Sequence, residues 1–229
     1  MLTQQGKLEI IKRIGQGGWK AVVFDIDGTL FPRSSADQLI FSMLGELDFM
    51  KRFEEDYATG KIDNDVVAVA LAAHFTGHKV NELTTALSHN DFIEGAIELS
   101  QALRQAGIAV LVATVTYRFI ADWVALQLKG EVISGVELEE RAGILTGNIT
   151  RHAHAINKTN GLKQWCSKNH IAMDECIAIG DSRSDLHIFD NVGLSLAINA
   201  SDDARRAATF AGDFDNLWQL FADAPPNVI

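Results

Sequence analysis

One short stretch, residues 21–30, places the strongest constraint on how this chain can fold. The four apolar residues 21–24 stop abruptly at Asp25, and a second carboxylate, Asp27, precedes the turn residue Gly28. A short apolar run bounded by a glycine turn is typical of a strand covered on both faces, as in a parallel sheet flanked by helices. Ligands of such sheets bind beyond the carboxyl ends of the strands. The stretch therefore predicts a buried strand that leads directly into a polar site.

The two carboxylates of this stretch are placed to act together. Residues two apart on a strand project from the same side, so the side chains of Asp25 and Asp27 can converge on one ligand. An Asp-Gly pair is also a common turn dipeptide, and on its own the pattern fits solvated turn carboxylates equally well. The remainder of the chain has to decide between these interpretations.

Two later apolar runs repeat the pattern of a strand that ends in polar residues. Residues 108–113 lead to Thr114, and residues 176–180 lead to Asp181, with Asp185 four residues beyond it. Helical patterns separate these runs, which predicts an α/β fold with a doubly wound, Rossmann-like parallel sheet. Because the carboxyl ends of parallel strands face one crevice, we expect these side chains to join the two aspartates of the first strand.

Residues 33–90, called the insertion below, interrupt the alternation of strands and helices. They contain no convincing strand and four helical patterns, at residues 36–44, 47–59, 63–75 and 79–88. We therefore expect an α/β core domain made of residues 1–32 and 91–229, with residues 33–90 as an inserted all-helical cap domain. Residues 66–73 are apolar nearly all round, which predicts a helix in the core of the insertion.

Composition narrows the possible partners. The 229 residues include 30 acidic against 20 basic side chains, a net charge of −10, which argues against a nucleic-acid or anionic-membrane partner. We find no secretory signal, and no apolar run approaches the ~20 residues of a membrane-spanning helix, so we expect a cytoplasmic protein. Cys166 and Cys176 are then expected to be reduced, with a single disulfide as the less favoured alternative.

Several carboxylates in one crevice repel each other unless a cation is present. Mg²⁺ prefers oxygen ligands, keeps open water positions and binds phosphate oxygens, so the pattern predicts Mg²⁺ and a small phosphate ester as substrate. Asp25 can act as nucleophile through an aspartyl phosphate, and Asp27 can protonate the leaving alcohol and then activate water. The hydroxyl of Thr114 and the ammonium of Lys158, at a helix start, can contact the phosphate. Asp181, supported by Asp185, would complete the metal site with Asp25 and the backbone near Asp27.

These residues resemble four motifs of the haloacid dehalogenase-like hydrolases, and within them the phosphoserine phosphatase-like branch. Residues 25–29 resemble the first motif, Thr114 the second, Lys158 the third and residues 180–185 the fourth. The resemblance implies that Asp25 is the nucleophile and that Asp27 is the acid/base. It also implies that Asp25, the carbonyl of Asp27 and Asp181 hold Mg²⁺, and that the insertion closes over the substrate.

The chain departs from that branch at positions that contact the substrate. Thr114, Val115 and Thr116 replace a usual Ser-Gly-Gly, and bulkier residues there imply a reshaped pocket. Ser34 stands where a glutamate grips the substrate amino group, and Val69 falls near the expected position of a cap arginine. Ser184 replaces a usual asparagine of the fourth motif. These departures argue against phosphoserine as the substrate.

Some alternatives remain open at this stage. Lys163 competes with Lys158 as the lysine that contacts phosphate, and His152 and His154 fit either a metal site or a solvated surface. A phosphomutase of the same family would use Asp25 and Asp27 in the same way. A phospho-acceptor or binding module without turnover is the non-enzymatic alternative.

Overall fold

The computed structural model describes residues 2–225, except the side chain of Ala58, so Met1 and residues 226–229 of the predicted core domain lie outside the described residues. Seven strands form one sheet in the order β4-β3-β2-β1-β5-β6-β7. The strands are β1 (Ala21–Phe24), β2 (Ala109–Tyr117), β3 (Glu131–Arg141), β4 (Ile144–Arg151), β5 (Cys176–Gly180), β6 (Leu194–Ile198) and β7 (Phe210–Gly212). All neighbours are parallel except β3 and β4, which form an antiparallel hairpin.

Eleven α-helices accompany these strands within the described residues. They are α1 (Gln4–Gln16), α2 (Ala36–Met43), α3 (Leu47–Ala58), α4 (Asn64–His74), α5 (Val80–Leu83), α6 (Ala96–Gln105), α7 (Arg118–Leu128), α8 (Ala155–Asn169), α9 (Leu186–Phe189), α10 (Asp202–Ala207) and α11 (Leu217–Asp223). None of the described helices has the length and apolar character that a membrane crossing requires.

Strand β1 is the centre of the sheet and explains the predicted fold class. It pairs with β2 on one side and β5 on the other, and all four of its residues are buried. Val22 and Phe24 belong to one apolar cluster, whereas Ala21 and Val23 belong to a second cluster on the opposite face. Burial on both faces is why a continuous apolar run forms this strand. The mostly parallel sheet with flanking helices confirms the predicted doubly wound α/β fold.

The insertion consists of helices and turns only. The predicted helix at residues 79–88 is shorter than expected, because α5 ends at Leu83 and a 3₁₀ turn, Thr84–Ala86, follows. Helix α4 buries Ala68, Leu71 and Ala72, but Val66 and Val69 are 47% and 57% exposed. The prediction of a core helix in the insertion therefore holds for one face of α4 only. One face of α4 packs on the rest of the protein and the other faces solvent.

Hydrogen bonds join the insertion to the sheet away from its two connecting segments. Asn64 donates its amide to the carbonyl oxygens of Val115, at 3.1 Å, and Ala153, at 2.8 Å. The Tyr117 hydroxyl donates to the carbonyl of Ala68 at 2.6 Å. Farther along, the Gly77 amide donates to the Leu145 carbonyl of the hairpin at 2.9 Å. The insertion thus contacts the carboxyl end of β2, the segment just after β4 and the amino end of β4.

Three local features differ from the sequence-based expectation. Strand β2 continues past residue 113 to Tyr117 through a register shift against β3, so the predicted strand end is an irregular segment. Strand β7 was not predicted, because three half-buried residues carry no readable pattern. Helix α8 begins at Ala155, three residues before Lys158, which was expected at the helix start, and the Asn157 side chain accepts a hydrogen bond from the His154 amide. Cys166 and Cys176 are free in the structure, and their sulfur atoms lie 3.6 Å apart.

Candidate active site

Asp25 and Lys158 form the buried ion pair at the centre of the site. Asp25 follows β1 and Lys158 lies in the first turn of α8, and both side chains are buried. Lys158 Nζ donates to Asp25 Oδ1 at 2.6 Å, Asp185 Oδ1 at 2.7 Å and Ser184 Oγ at 2.9 Å. These three acceptors satisfy all three ammonium protons. Burial lowers the pKa of Lys158, but the carboxylates of Asp185 and Asp25 outweigh it and raise that pKa above its usual value.

The loop after β5 is organised by Asp185. Asp185 Oδ2 accepts hydrogen bonds from the backbone amides of Asp181, at 3.1 Å, and Ser182, at 3.2 Å, while its other oxygen holds Lys158. A Cβ on Gly180 would lie 2.3 Å from Asp185 Cγ, so only glycine admits the carboxylate at this position. Asp185 therefore positions both the loop and the lysine.

Three carboxylates converge next to this ion pair. Asp25, Asp181 and Asp185 each offer an oxygen within 4.8 Å of the others, and within residues 2–225 this is the one such group of His, Cys, Asp or Glu side chains. The Thr29 hydroxyl donates to Asp181 Oδ1 at 3.2 Å. Gly28 has φ +84°, and a Cβ there would lie 2.2 Å from Asp181 Oδ2. Burial, with the charges of Asp25 and Asp185, raises the pKa of Asp181 to about 9.

This group fits a hard divalent cation. Its donors are carboxylate oxygens, and their burial close together raises the free energy of the charged forms, as the raised pKa of Asp181 shows. A cation bound among them would remove that cost. The side chain of Asp27 is not part of the group, in keeping with the expectation that its carbonyl and not its carboxylate faces a metal.

The carboxyl of Asp27 instead contacts the start of the insertion. Asp27 Oδ1 accepts a hydrogen bond of 2.7 Å from the backbone amide of Ala36, the first residue of α2. Burial, reinforced by the charge of Asp37, raises the pKa of Asp27 to about 8. Burial also raises the pKa of Asp25 to about 7, against the opposing charge of Lys158. A carboxyl that keeps its proton near neutral pH can serve as a general acid.

Thr114 lies in the irregular segment of β2, facing the same cavity as Asp25. Its side chain is buried, and its hydroxyl oxygen accepts a hydrogen bond of 3.1 Å from the Thr116 amide. The structure therefore brings all six predicted site residues to one end of the sheet. Lys163 is exposed, so Lys158 is the lysine at the site.

The two histidines lie outside this site. His152 Nδ1 is 2.6 Å from Asp65 Oδ1 and His154 Nε2 is 3.5 Å from the same oxygen, with all three side chains partly exposed. Asp65 belongs to α4, so the histidines contact the insertion. Within the described residues, the two histidines and Asp65 do not form a group whose ligand atoms all lie within 4.8 Å of one another.

A cavity of about 410 Å³ connects the site to the insertion. The sheet contributes Asp25, Thr114 and Asp181, and the insertion contributes Asp37, Glu54 and Leu71. Sequence analysis missed Asp37 and Glu54, because an acidic residue in a helix is normally a solvated or first-turn residue. Helical spacing was the available signal, since it places Asp37 on the same side of α2 as the buried Ile40 and Phe41.

The structure shows where two of the residues that depart from the phosphoserine phosphatase pattern lie. Val69 is exposed on α4, and Ser34 does not line the cavity, whereas its neighbour Ser35 does.

Arg183, from the loop after β5, packs its guanidinium 4.2 Å from the centre of the Tyr57 ring. Its Nη2 donates to the Tyr57 carbonyl at 2.7 Å. Arg183 therefore links the loop to α3 across the rim of the cavity.

Two phosphoserine phosphatases are similar in sequence to this chain over most of its length. A phosphoserine phosphatase from Albidiferax ferrireducens is 27% identical over 215 residues, covering 89% of this chain and 90% of that protein. A phosphoserine phosphatase from Archaeoglobus fulgidus is 28% identical over 202 residues, or 88% of this chain, and this chain spans 58% of that protein's length.

Solved structures share the fold. A phospho-aspartyl intermediate analogue of phosphoserine phosphatase superposes with a TM-score of 0.74 at 19% identity, covering 88% of this chain and 97% of that one. A HAD family hydrolase from Salmonella enterica serovar Typhi gives a TM-score of 0.78 at 17% identity, covering 98% of this chain and 82% of that one. Residues 22–190 match the family of haloacid dehalogenase-like hydrolases, a span that contains all four motifs. The chain belongs to the haloacid dehalogenase-like hydrolase family, and it is similar to the phosphoserine phosphatase-like branch within it.

Proposed function

We propose that this chain is a Mg²⁺-dependent phosphatase that hydrolyses a small phosphomonoester through an aspartyl phosphate on Asp25. The observation that carries the proposal is the pairing of Asp25 with Lys158 beside a second carboxyl, Asp27, with a raised pKa. Lys158 binds Asp25 Oδ1, and within the described residues the other oxygen accepts no hydrogen bond. The relatives named phosphoserine phosphatases support the same class of reaction.

The proposed reaction has two displacement steps. Asp25 Oδ2 attacks phosphorus, the bond from phosphorus to the ester oxygen breaks, and Asp27 gives its proton to the departing alcohol. Asp27, now a carboxylate, takes a proton from a water molecule that attacks the phosphorus of the aspartyl phosphate. The bond between phosphorus and Asp25 breaks, which releases inorganic phosphate and restores both carboxyls.

The neighbouring side chains supply charge and orientation. Lys158 stays cationic because two carboxylates surround it, so its ammonium can neutralise a phosphate oxygen next to Asp25. Ser184 Oγ accepts the third hydrogen bond of the ammonium, which holds the lysine in place. The Thr114 hydroxyl carries a proton that it can donate to a second phosphate oxygen.

The carboxylate group would hold Mg²⁺ through Asp25 and Asp181, with the carbonyl of Asp27 as a further ligand and Asp185 in support. When bound, the ion supplies positive charge that stabilises the phosphate oxygens and favours the ionised form of Asp25. Asp185 supports this site indirectly, since both of its oxygens already accept hydrogen bonds from Lys158 and the loop amides.

We assign residues 33–90 as a cap domain and residues 1–32 with 91–229 as the core domain. The support is the purely helical content of the insertion and its contribution to the cavity walls. Its two ends also meet, because the Ile93 amide donates to the Leu30 carbonyl at 2.8 Å.

The test is phosphate release from p-nitrophenyl phosphate and a panel of small phosphomonoesters, with Mg²⁺ or with EDTA. We expect release that requires Mg²⁺ and falls by at least about 10³-fold in Asp25→Asn, which removes the nucleophile. Asp190→Asn is the matched control. Asp190 is an exposed aspartate five residues after Asp185, and the variant should behave as wild type. Full activity in Asp25→Asn would contradict the proposal. Transfer of the phosphoryl group from one hydroxyl of a sugar phosphate to another, without release of phosphate, would favour a phosphomutase.

A further inference from the structure

We propose that Asp37 and Glu54 bind a protonated amine of the substrate, so that the preferred substrate is the phosphate ester of an amino alcohol without a carboxylate. This inference rests on the proposed phosphatase function and assigns its substrate class. It places the amine at the insertion side of the cavity and the phosphate at the sheet side. Four observations support it.

The first observation is an unpartnered oxygen on Asp37. The residue is 7% exposed and lines the same cavity as Asp25 and Asp27. Its Oδ2 accepts a hydrogen bond of 2.6 Å from the Thr116 hydroxyl, whereas its Oδ1 is buried with no partner in the described part of the chain. A buried carboxylate oxygen without a donor is costly, so a donor from a ligand would be favourable there.

The second observation is the position of Glu54, which lines the cavity from α3. Its two oxygens accept hydrogen bonds from the Ser35 hydroxyl and the Gln38 side-chain amide, which orient the carboxylate. The charge of Glu54 adds to burial in raising the pKa of Asp37 to about 7. Two acidic groups close together stabilise a small cation between them.

The third observation is the lack of a compensating charge from the protein. Within residues 2–225, neither Asp37 nor Glu54 forms an ion pair with a lysine, arginine or histidine. A substrate ammonium would supply the missing charge and the missing donor at once. A charged donor makes stronger hydrogen bonds to a carboxylate than a neutral hydroxyl does.

The fourth observation concerns the charge of the other lining residues and argues against a substrate carboxylate. Arg183 is the single lysine or arginine that lines this cavity in the described chain, and it is engaged by the ring and carbonyl of Tyr57. The rest of the cavity lining is largely apolar, including Met50, Val67 and Leu71, and its polar members are neutral or acidic. A carboxylate next to the amine would therefore find no lysine or arginine among the described lining residues other than the engaged Arg183.

The experiment compares matched pairs of esters that differ only in ammonium against hydroxyl. The pairs are aminoethyl and hydroxyethyl phosphate, and aminopropyl and hydroxypropyl phosphate, with phosphoserine as the carboxylate-bearing comparison. In the wild-type protein with Mg²⁺ we expect kcat/KM to favour the amino ester of at least one pair by about tenfold to a hundredfold. We expect phosphoserine to be a poorer substrate than the preferred amino ester.

Variants then assign the preference to residues. Asp37→Asn should reduce the amino-to-hydroxyl ratio of kcat/KM to within about threefold of unity, and Glu54→Gln should reduce it in the same direction. The ratio is the informative quantity, because the charge of Asp37 also acts on Asp27 and would change the chemical step for both esters alike. Glu55→Gln removes an equal charge from the exposed neighbouring position of α3, and it should retain the wild-type ratio.

A binding measurement separates this inference from the proposed function. Calorimetry on Asp25→Asn gives the affinity for both members of each pair without turnover, so an amine preference there stands even when no ester is hydrolysed. Melting curves establish that each variant is folded, and Glu54→Gln carries the test when Asp37→Asn does not fold. Equal affinity and equal kcat/KM within both pairs would overturn the inference. So would preference for phosphoserine, or an undiminished ratio in the folded variants.

Discussion

At the scale of single residues, Gly28 shows how a backbone position can decide whether the carboxylates converge. Its φ of +84° favours glycine, and Asp181 occupies the space that a Cβ would fill. Gly143, in the turn between β3 and β4, has a similar φ of +80° but no atom within 4 Å of an added Cβ. Alanine at position 143 therefore introduces backbone strain alone, whereas alanine at position 28 introduces the same strain and also displaces the Asp181 carboxylate.

We expect Gly28→Ala to weaken Mg²⁺ binding and to abolish most activity, because the new methyl group pushes the Asp181 carboxylate away. Gly143→Ala should cost only the backbone strain, about 1–2 kcal/mol of unfolding free energy, and should retain Mg²⁺ affinity. Calorimetric Mg²⁺ titration and urea unfolding of both variants give the comparison. Equal Mg²⁺ affinity in the two variants would argue against a role for Asp181 in the metal site.

Lys158 is the residue on which the buried charges depend. Lys158→Met keeps an unbranched side chain one atom shorter than lysine but leaves Asp25 and Asp185 without their cation. Breaking a buried ion pair by removing one partner typically costs about 3–5 kcal/mol, and we expect a loss of that order together with at least a hundredfold fall in kcat/KM. Urea unfolding and initial rates measure both. The exposed Lys163→Met is the control, and a comparable loss there would contradict the assignment.

At the scale of elements, the start of α2 ties the insertion to Asp27, the proposed general acid. The Ala36 amide donates to Asp27, and Ala36 is also the first residue of the helix after the N-cap Ser35. Proline is well tolerated at the first position of a helix, and the extended conformation of Ser35, with φ −64° and ψ 156°, suits a residue before proline. A proline at position 36 would therefore remove one hydrogen bond and leave the helix intact.

We expect Ala36→Pro to lower kcat by about tenfold to a hundredfold, because the orientation of Asp27 is lost while α2 is kept. Because Ala36 is fully buried, the added ring atoms should also lower the melting temperature. The pH dependence of kcat should also shift, since the amide of residue 36 lowers the pKa of Asp27 in wild type. Stopped assays across pH and a melting curve measure these effects. An unchanged pH profile with wild-type kcat would show that the hydrogen bond has no catalytic role.

The elements also show what sequence patterns can and cannot predict. Strands β1 and β5 were predictable because burial on both faces requires an unbroken apolar run, and each run ended at the polar site. The exposure of Val66 and Val69 was not, because valine on a helix carries no information about which side meets the rest of the protein. Asp37 was missed for a related reason: its chemistry depends on Thr116 and Glu54, which are distant along the chain.

At the scale of the whole molecule, the buried acids make stability depend on pH. Burial is the leading cause that raises the pKa of Asp25 and Asp37 to about 7, of Asp27 to about 8 and of Asp181 to about 9. Unfolded aspartates titrate near about 3.9. Between these limits the native state binds more protons than the unfolded state, so the free energy of unfolding decreases as pH rises through this range.

We therefore expect the metal-free protein to be less stable at about pH 8.5 than at about pH 5.5, with Mg²⁺ adding more stability at the higher pH because the ion competes with protons for the same carboxylates. Urea unfolding at both pH values, with EDTA and with Mg²⁺, gives the four free energies. Metal-free stability that rises over this interval would contradict the burial of these acids.

The contact between Ala36 and Asp27 also limits how this architecture can be varied. The insertion lines the cavity and also supplies the amide that binds the Asp27 carboxyl, so under the proposed function selectivity and reactivity share a backbone position. We expect a chimera in which another segment replaces residues 33–90 to be an active enzyme with new selectivity only when the first helix of that segment directs a backbone amide to the Asp27 carboxyl. Recombination within the family is thereby expected to yield folded but slow enzymes more often than fast enzymes with altered preference.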